Sequence, residues 1–557
     1  MAATPAELEK MIKDLQEEVE YLNERADDAE FHTATDRLRI TGDFRNRMHS
    51  LHYQDTAWNP AANVDFDDFM AKVMASPASM AEWGVDGSPN FIPGSPLDKL
   101  GSAYGLTPAM LPGFTGIMPF PLIPGMMGMV PTKQDLDNDI AYDTRLRLNL
   151  MAKVWDNVSF AGRLSMYKNW GDSTGTKVFD SWNAFTMDGT NGGNTTGNTV
   201  QVERAFFNWK NIGGSNFWFS VGRRPSTYGA PSNYRENEMR GGSPSGHLVH
   251  FNFDGLTLGY APENVLEGMK IRFCYGQGYE SEIGNGELYG NVATEDTHLG
   301  GFAIDAYDDG DTLVQVMAFA ALDVADGFKG TFAFPTELGA IFAPTLYHDM
   351  QKFPTFNFVT RYQPSTNIGD MYLGGLSISR EEENGLAYFA SAGWTQLRSN
   401  GNAGLFGGMG NDAIFEADLN TFKDEIVFNA VRAADNDTND GYGLYVGVQI
   451  PTGSGKVGLE YNYGSEYWTP FTQAQDDMLG SKLAVRGSVY EGYYIHDVNP
   501  NTFIKLGGMY YDYEYTGSGS PVGKPQKVDD VLAGTAFNML PVVDTAWDAN
   551  VTFNIRF

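Results

Sequence analysis

Trp547-Asp548-Ala549-Asn550-Val551-Thr552-Phe553-Asn554-Ile555-Arg556-Phe557 closes the chain. Side chains of an extended strand alternate between its two faces. Trp547, Ala549, Val551, Phe553, Ile555 and Phe557 therefore share one face, and Asp548, Asn550, Thr552, Asn554 and Arg556 share the other. An edge strand of a soluble sandwich would carry the same alternation. The length decides for a membrane barrel, because a tilted strand needs roughly 9–11 residues to cross a bilayer.

Working outward, the same rhythm recurs. Tyr142–Val154 meets a tight turn at Trp155-Asp156-Asn157, and Val158–Lys168 returns. Further short turns are expected at Lys210–Asn216, Pro262–Gly268, Tyr307–Asp311, Glu381–Gly385, Thr452–Gly455 and Val498–Asn501. Long polar stretches separate these pairs. Short turns at one end and long loops at the other mark an outer-membrane barrel. The expected fold is all-β, a 16-stranded antiparallel transmembrane β-barrel over residues 35–557, with both termini periplasmic. Segment 354–363 is a spare strand candidate that leaves eighteen strands open.

Before the barrel, Leu8, Ile12, Leu15, Val19 and Leu22 repeat at spacings of four and three. This heptad seam predicts a short periplasmic coiled-coil helix over 1–34 that oligomerises the chain. The peptide rules favour two strands for such a seam, and a barrel below it can impose three. Residues 50–138 break the pattern and read as a long first extracellular loop. Its segment from Pro108 to Pro131 is rich in proline and methionine, so it is neither helix nor central strand.

Composition bounds the rest. Of 557 residues, 38 are Lys or Arg and 70 are Asp or Glu, a net charge of −32, which speaks against nucleic acid as a partner. Mean hydropathy is −0.31, compatible with apolar residues confined to alternate positions. Cys274 is the only cysteine, which excludes an internal disulfide and multi-cysteine metal or haem motifs. No cofactor is expected, and no nucleophile–base pattern suggests an enzyme. Asp435, Asp437 and Asn439 sketch half of a calcium loop, but the glycine falls one place late, and a solvated surface loop is the better reading.

A resemblance sharpens this. The stretches Asn211–Thr227, Phe253–Gly259 and Lys270–Gly276, together with Arg37–Arg47, resemble an uncharacterised porin-like family of Gram-negative bacteria, a domain of unknown function. The Gly222-Arg223-x-Pro225 pattern is more distantly similar to general, oligosaccharide- or phosphate-type porins, and the terminal Phe557 resembles the residue that closes outer-membrane barrels. The resemblance implies an outer-membrane barrel, embedded in lipid and homotrimeric in many porins, and no particular substrate. In sixteen-strand porins the third long loop folds inward. Here that loop, 224–246, offers Arg224, Arg235, Glu236, Glu238 and Arg240, with Arg223 at the strand end, as the pore constriction. Arg37, Arg39, Arg45, Arg47, Arg145, Arg147 and Arg163 fall on inferred inner faces and form a basic ladder. Passive diffusion of small hydrophilic solutes and ions, with weak anion preference, is the expected function. Two alternatives remain: a plugged barrel tethered to the peptidoglycan cell wall, or the barrel partner of an electron-transfer cytochrome.

Overall fold

The computed structural model describes residues 38–57, 133–171, 200–281, 294–326, 366–404, 406–417, 426–473, 475–536 and 540–557, with short pieces at 93, 117–119, 329–332, 359–361 and 538. The expected coiled coil with Leu8, Ile12, Leu15, Val19 and Leu22 lies outside them. So do Arg37 and nearly all of the proline- and methionine-rich first loop.

Sixteen antiparallel strands close into one barrel. In chain order they are β1 (Leu38–Thr56), β2 (Gln134–Trp155), β3 (Val158–Asn169), β4 (Gln201–Trp209), β5 (Phe217–Arg224), β6 (Phe253–Tyr260), β7 (Lys270–Tyr279) and β8 (Thr297–Asp308). They continue as β9 (Thr312–Asp326), β10 (Thr366–Glu381), β11 (Ala387–Ser399), β12 (Thr438–Thr452), β13 (Gly455–Gly464), β14 (Gly487–Asn499), β15 (Thr502–Tyr513) and β16 (Thr545–Arg556). Each strand pairs with its sequence neighbour, and β16 closes on β1 with Arg45 opposite Asn554 and Arg47 opposite Thr552. The backbones of Gly42 and Phe557 exchange hydrogen bonds of 2.7 and 2.9 Å, so both ends of the barrel chain meet at the short-turn rim. Val359–Arg361 is indeed extended. It belongs to a separate five-stranded sheet of loop segments, with Lys329–Phe332, Ile426–Ala433, Ala413–Ala417 and Ile117–Pro119, so the barrel count stays at sixteen.

The closing strand shows how the barrel is turned. Asp548, Thr552 and Asn554 are buried, whereas Phe553 is 53% and Ile555 48% exposed. A soluble sandwich would place them the other way. The inversion continues around the wall: Phe44, Leu258, Phe302, Leu376, Leu459, Tyr490 and Leu506 all point outward and are exposed. In water such a belt would be an aggregation surface.

The lumen is filled by chain. The loop 225–252, between β5 and β6, and the loop 465–486, between β13 and β14, enter it and pack on the wall. Many inward positions of β8 to β11 are apolar. Leu299, Ala303, Met317, Ala321, Met371, Leu373 and Leu397 form a buried core with Leu248, Val249 and Phe251 of the first loop and Trp468 and Phe471 of the second. A row of facing glycines makes room. Gly375, Gly393, Gly443, Gly464 and Gly487 stand opposite one another across five consecutive strands. A Cβ at Gly393, Gly443 or Gly464 would collide with the Trp468 indole, whose Nε1 donates to the Leu483 carbonyl at 2.8 Å.

Candidate pore constriction

The β1–β2 register places Asp43 opposite Arg147, Arg45 opposite Arg145 and Arg47 opposite Asp143. Two guanidinium groups directly opposite repel each other. An acid between them is required, and it comes from a distant loop: Asp476 lies 2.6 Å from Arg45 and 3.1 Å from Arg145. Burial alone would raise the Asp476 pKa, but Arg45, Arg145 and Arg47 overrule it and hold it well below the usual carboxylate range. The 225–252 loop adds two more acids. Glu238 reaches Arg145 at 3.2 Å and also bonds Arg147, and Glu236 stands 3.9 Å from Arg45. Asp43 and Asp143 complete the set, at 2.7 Å from Arg147 and 3.3 Å from Arg45. His49 links Asp143 (2.7 Å) to Asp548 (3.0 Å).

The same device recurs at the next step of the wall. Arg163 faces Arg204 across β3 and β4. Glu203, brought inward by a bulge in that pairing, lies 3.0 Å from Arg163 and 3.5 Å from Arg204.

Two further arcs of the wall hold the loops. Arg235 pairs with Asp477 at 2.8 Å and with Glu491 of β14 at 2.8 Å. Lys482 bonds Glu460 of β13 and lies 2.6 Å from Glu491, which Lys505 of β15 also approaches at 3.2 Å. Elsewhere on the circumference, Arg240 lies 2.8 Å from Asp305 of β8, which Arg272 of β7 meets at 2.6 Å. The loop pair is therefore a bridge across the lumen, tied to the wall at three arcs.

Of the residues expected at the constriction, Arg235, Glu236, Glu238 and Arg240 belong to this bridge. Arg223 falls on the outward parity of β5 and pairs with Asp254 at 2.9 Å. Arg224 faces inward, apart from the ion-pair clusters. Of the ladder, Arg45, Arg47, Arg145, Arg147 and Arg163 lie on one inner wall, and Arg39 is exposed near the short-turn end. The ladder is compensated, however. Arg45, Arg47, Arg145 and Arg147 face Asp43, Asp143, Glu236, Glu238 and Asp476, so it presents no bare positive wall. Asp476, Asp477, Lys482, Glu460 and Glu491 were not expected. The signal for them was there: residues 465–486 mix both charge signs with Trp468 and Phe471, unlike a solvated tip.

Asn439 lies within β12 (Thr438–Thr452), beyond Asp435 and Asp437. Among the described residues no group of three or more His, Cys, Asp or Glu side chains is arranged to hold a metal ion. Cys274 is a free, buried thiol.

Comparison with known proteins adds the following. A family model described as "Protein of unknown function (DUF3373)" matches residues 135–557. No curated protein matches the sequence. Solved structures of similar fold include Salmonella typhi OmpF in complex with daunomycin, at 10% identity and TM-score 0.37, covering 93% of this chain and 97% of that one. Pseudomonas putida OprB matches at 9% identity and TM-score 0.40, covering 95% and 96%. A loop L8 deletion mutant of Vibrio cholerae OmpT, an outer membrane protein, matches at 9% identity and TM-score 0.36, covering 94% and 100%.

Proposed function

The chain belongs to the DUF3373 family, whose description names no activity, and from the geometry we propose that it is a porin-type channel of the bacterial outer membrane. The observation that carries this reading is the inverted strand: charge and amide inside, a belt of Phe, Leu, Ile and Tyr outside. Only a lipid surround makes such a belt favourable around the barrel. Passage follows the polar arc of the lumen along β1–β4, where the bridge is held by ion pairs. Small hydrophilic solutes and ions fit such a path. Selectivity is weak, because the ladder is neutralised in place; any anion preference comes from Arg39 and from Arg163, which is shared with only one acid. The proposal includes periplasmic termini and a homotrimer held partly by a coiled coil over residues 1–34.

A second reading is favoured by one observation: the loop bridge buries a contiguous apolar core against β8–β11. That suits a plugged barrel acting as a peptidoglycan tether. Single-channel recording in planar bilayers separates the two. Discrete conductance steps support the channel, and a stable absence of ion current refutes it.

A further inference from the structure

Arg224 ends β5 and points into the lumen behind the 225–252 loop, away from the ion-pair bridge. Its guanidinium lies 4.8 Å from the Phe206 ring and bonds the Ser220 hydroxyl. Among the described residues no carboxylate pairs with it, although it is 8% exposed. Its Nε has no acceptor. Arg486, which also makes no ion pair among the described residues, behaves differently. That guanidinium donates to the carbonyls of Trp468, Thr516 and Ser520 and to the Thr469 hydroxyl. The chain thus neutralises Arg486 with its own oxygens and leaves Arg224 short of acceptors. A buried cation so placed is costly unless an anion accompanies it.

Arg224 also lines a cavity of about 40 Å³ between the loop and the inner wall of β5–β9. Most of the rest of that cavity is apolar, with Val249, Phe251, Leu299 and Phe471 around it and Ser226, Ser243 and Thr257 beside them. Cys274 lies at its side. The volume corresponds to roughly three water-sized groups in a row, too little for a sugar or a lipid chain. A bare inorganic anion would satisfy the charge and leave the apolar end empty.

We infer that this cavity binds a monocarboxylate of no more than two carbons, its carboxylate on Arg224 and its methyl group among Phe251, Leu299 and Phe471. The site stands independently of whether the barrel conducts. Acetate is the probe. Added to the purified full chain in a neutral detergent, it should raise the thermal unfolding temperature saturably, and it should slow modification of Cys274, the only cysteine, by a small methanethiosulfonate. Chloride at equal ionic strength should do neither. Arg224→Gln should weaken apparent acetate affinity by roughly ten- to a hundredfold, the worth of a charge-assisted hydrogen bond. Without acetate it should unfold no earlier than the parent chain, since it removes an unpaired charge. Leu299→Phe, which fills the apolar end and keeps the guanidinium, should also weaken acetate. The inference is overturned if acetate leaves the parent chain unchanged, if chloride reproduces its effects, or if Arg224→Gln responds as the parent does.

Discussion

Replacing Asp476 by Asn removes the acid that separates Arg45 from Arg145 while keeping the shape of the side chain. The two guanidinium groups then face each other across β1 and β2 with an amide between them. Breaking a buried pair by deleting one partner costs about 3–5 kcal/mol in general. Here the cost falls lower, because Arg45 keeps Asp143 at 3.3 Å and Arg145 keeps Asp43 and Glu238, each at 3.2 Å. About 2–3 kcal/mol is a reasonable magnitude, which multiplies the detached fraction of the 465–486 loop by roughly 30 to 150. The barrel should remain, since none of its inter-strand hydrogen bonds is touched. Single-channel recordings should therefore show larger or more frequent open levels for Asp476→Asn than for the parent protein. Acid should not substitute for the mutation. A carboxylate whose folded pKa is depressed gives its stabilisation above the unfolded value of about 3.9, and loses it only as pH falls through the lower folded value. Asp476 is shifted well below, so this tie survives mild acidification. Unchanged conductance and unchanged open-level statistics in Asp476→Asn would refute the view that this ion pair holds the bridge.

Phe553→Arg places a charge on the outer belt and should destabilise the barrel in lipid vesicles by about 2–4 kcal/mol if the site lies near the bilayer midplane; urea titration reads it, and parent-like stability would contradict the lipid-facing assignment. Reversal potentials across a potassium chloride gradient should be small and weakly anion-selective, and Gln at both Arg235 and Arg240 should move them toward cations; strong cation selectivity in the parent would show that other charges set the field. Deleting residues 1–30 should weaken the oligomer and leave the barrel folded, so a mass measurement in mild detergent that finds the intact chain monomeric would remove the coiled coil from the proposal.

Much of the barrel was legible because period-two alternation is a local property. The strand pairs, the short turns and the sixteen-strand count follow from residues a few places apart, but strand ends differ by several residues, as where β1 runs on to Thr56, past residue 50, and β2 begins at Gln134, before Tyr142. The inward direction of Arg45, Arg47, Arg145 and Arg147 was equally local. What fills the lumen was not. Asp476 meets Arg145 across 331 positions, and Arg235 meets Glu491 across 256. No spacing rule connects them. A partial cue existed in β8 to β11, where Leu299, Met317, Met371 and Leu373 occupy positions that a water-filled lumen would make polar. That departure says that something apolar lies against them, without saying which loop.

The glycine row on the inner wall also has a kinetic meaning. The seat for Trp468 is built from Gly393 of β11, Gly443 of β12 and Gly464 of β13, so it does not exist until those three strands are zipped in register. A slip of one residue would turn side chains into the space that the indole needs. Seating of Trp468 is therefore a proofreading event: the loop can dock only on a correctly assembled wall.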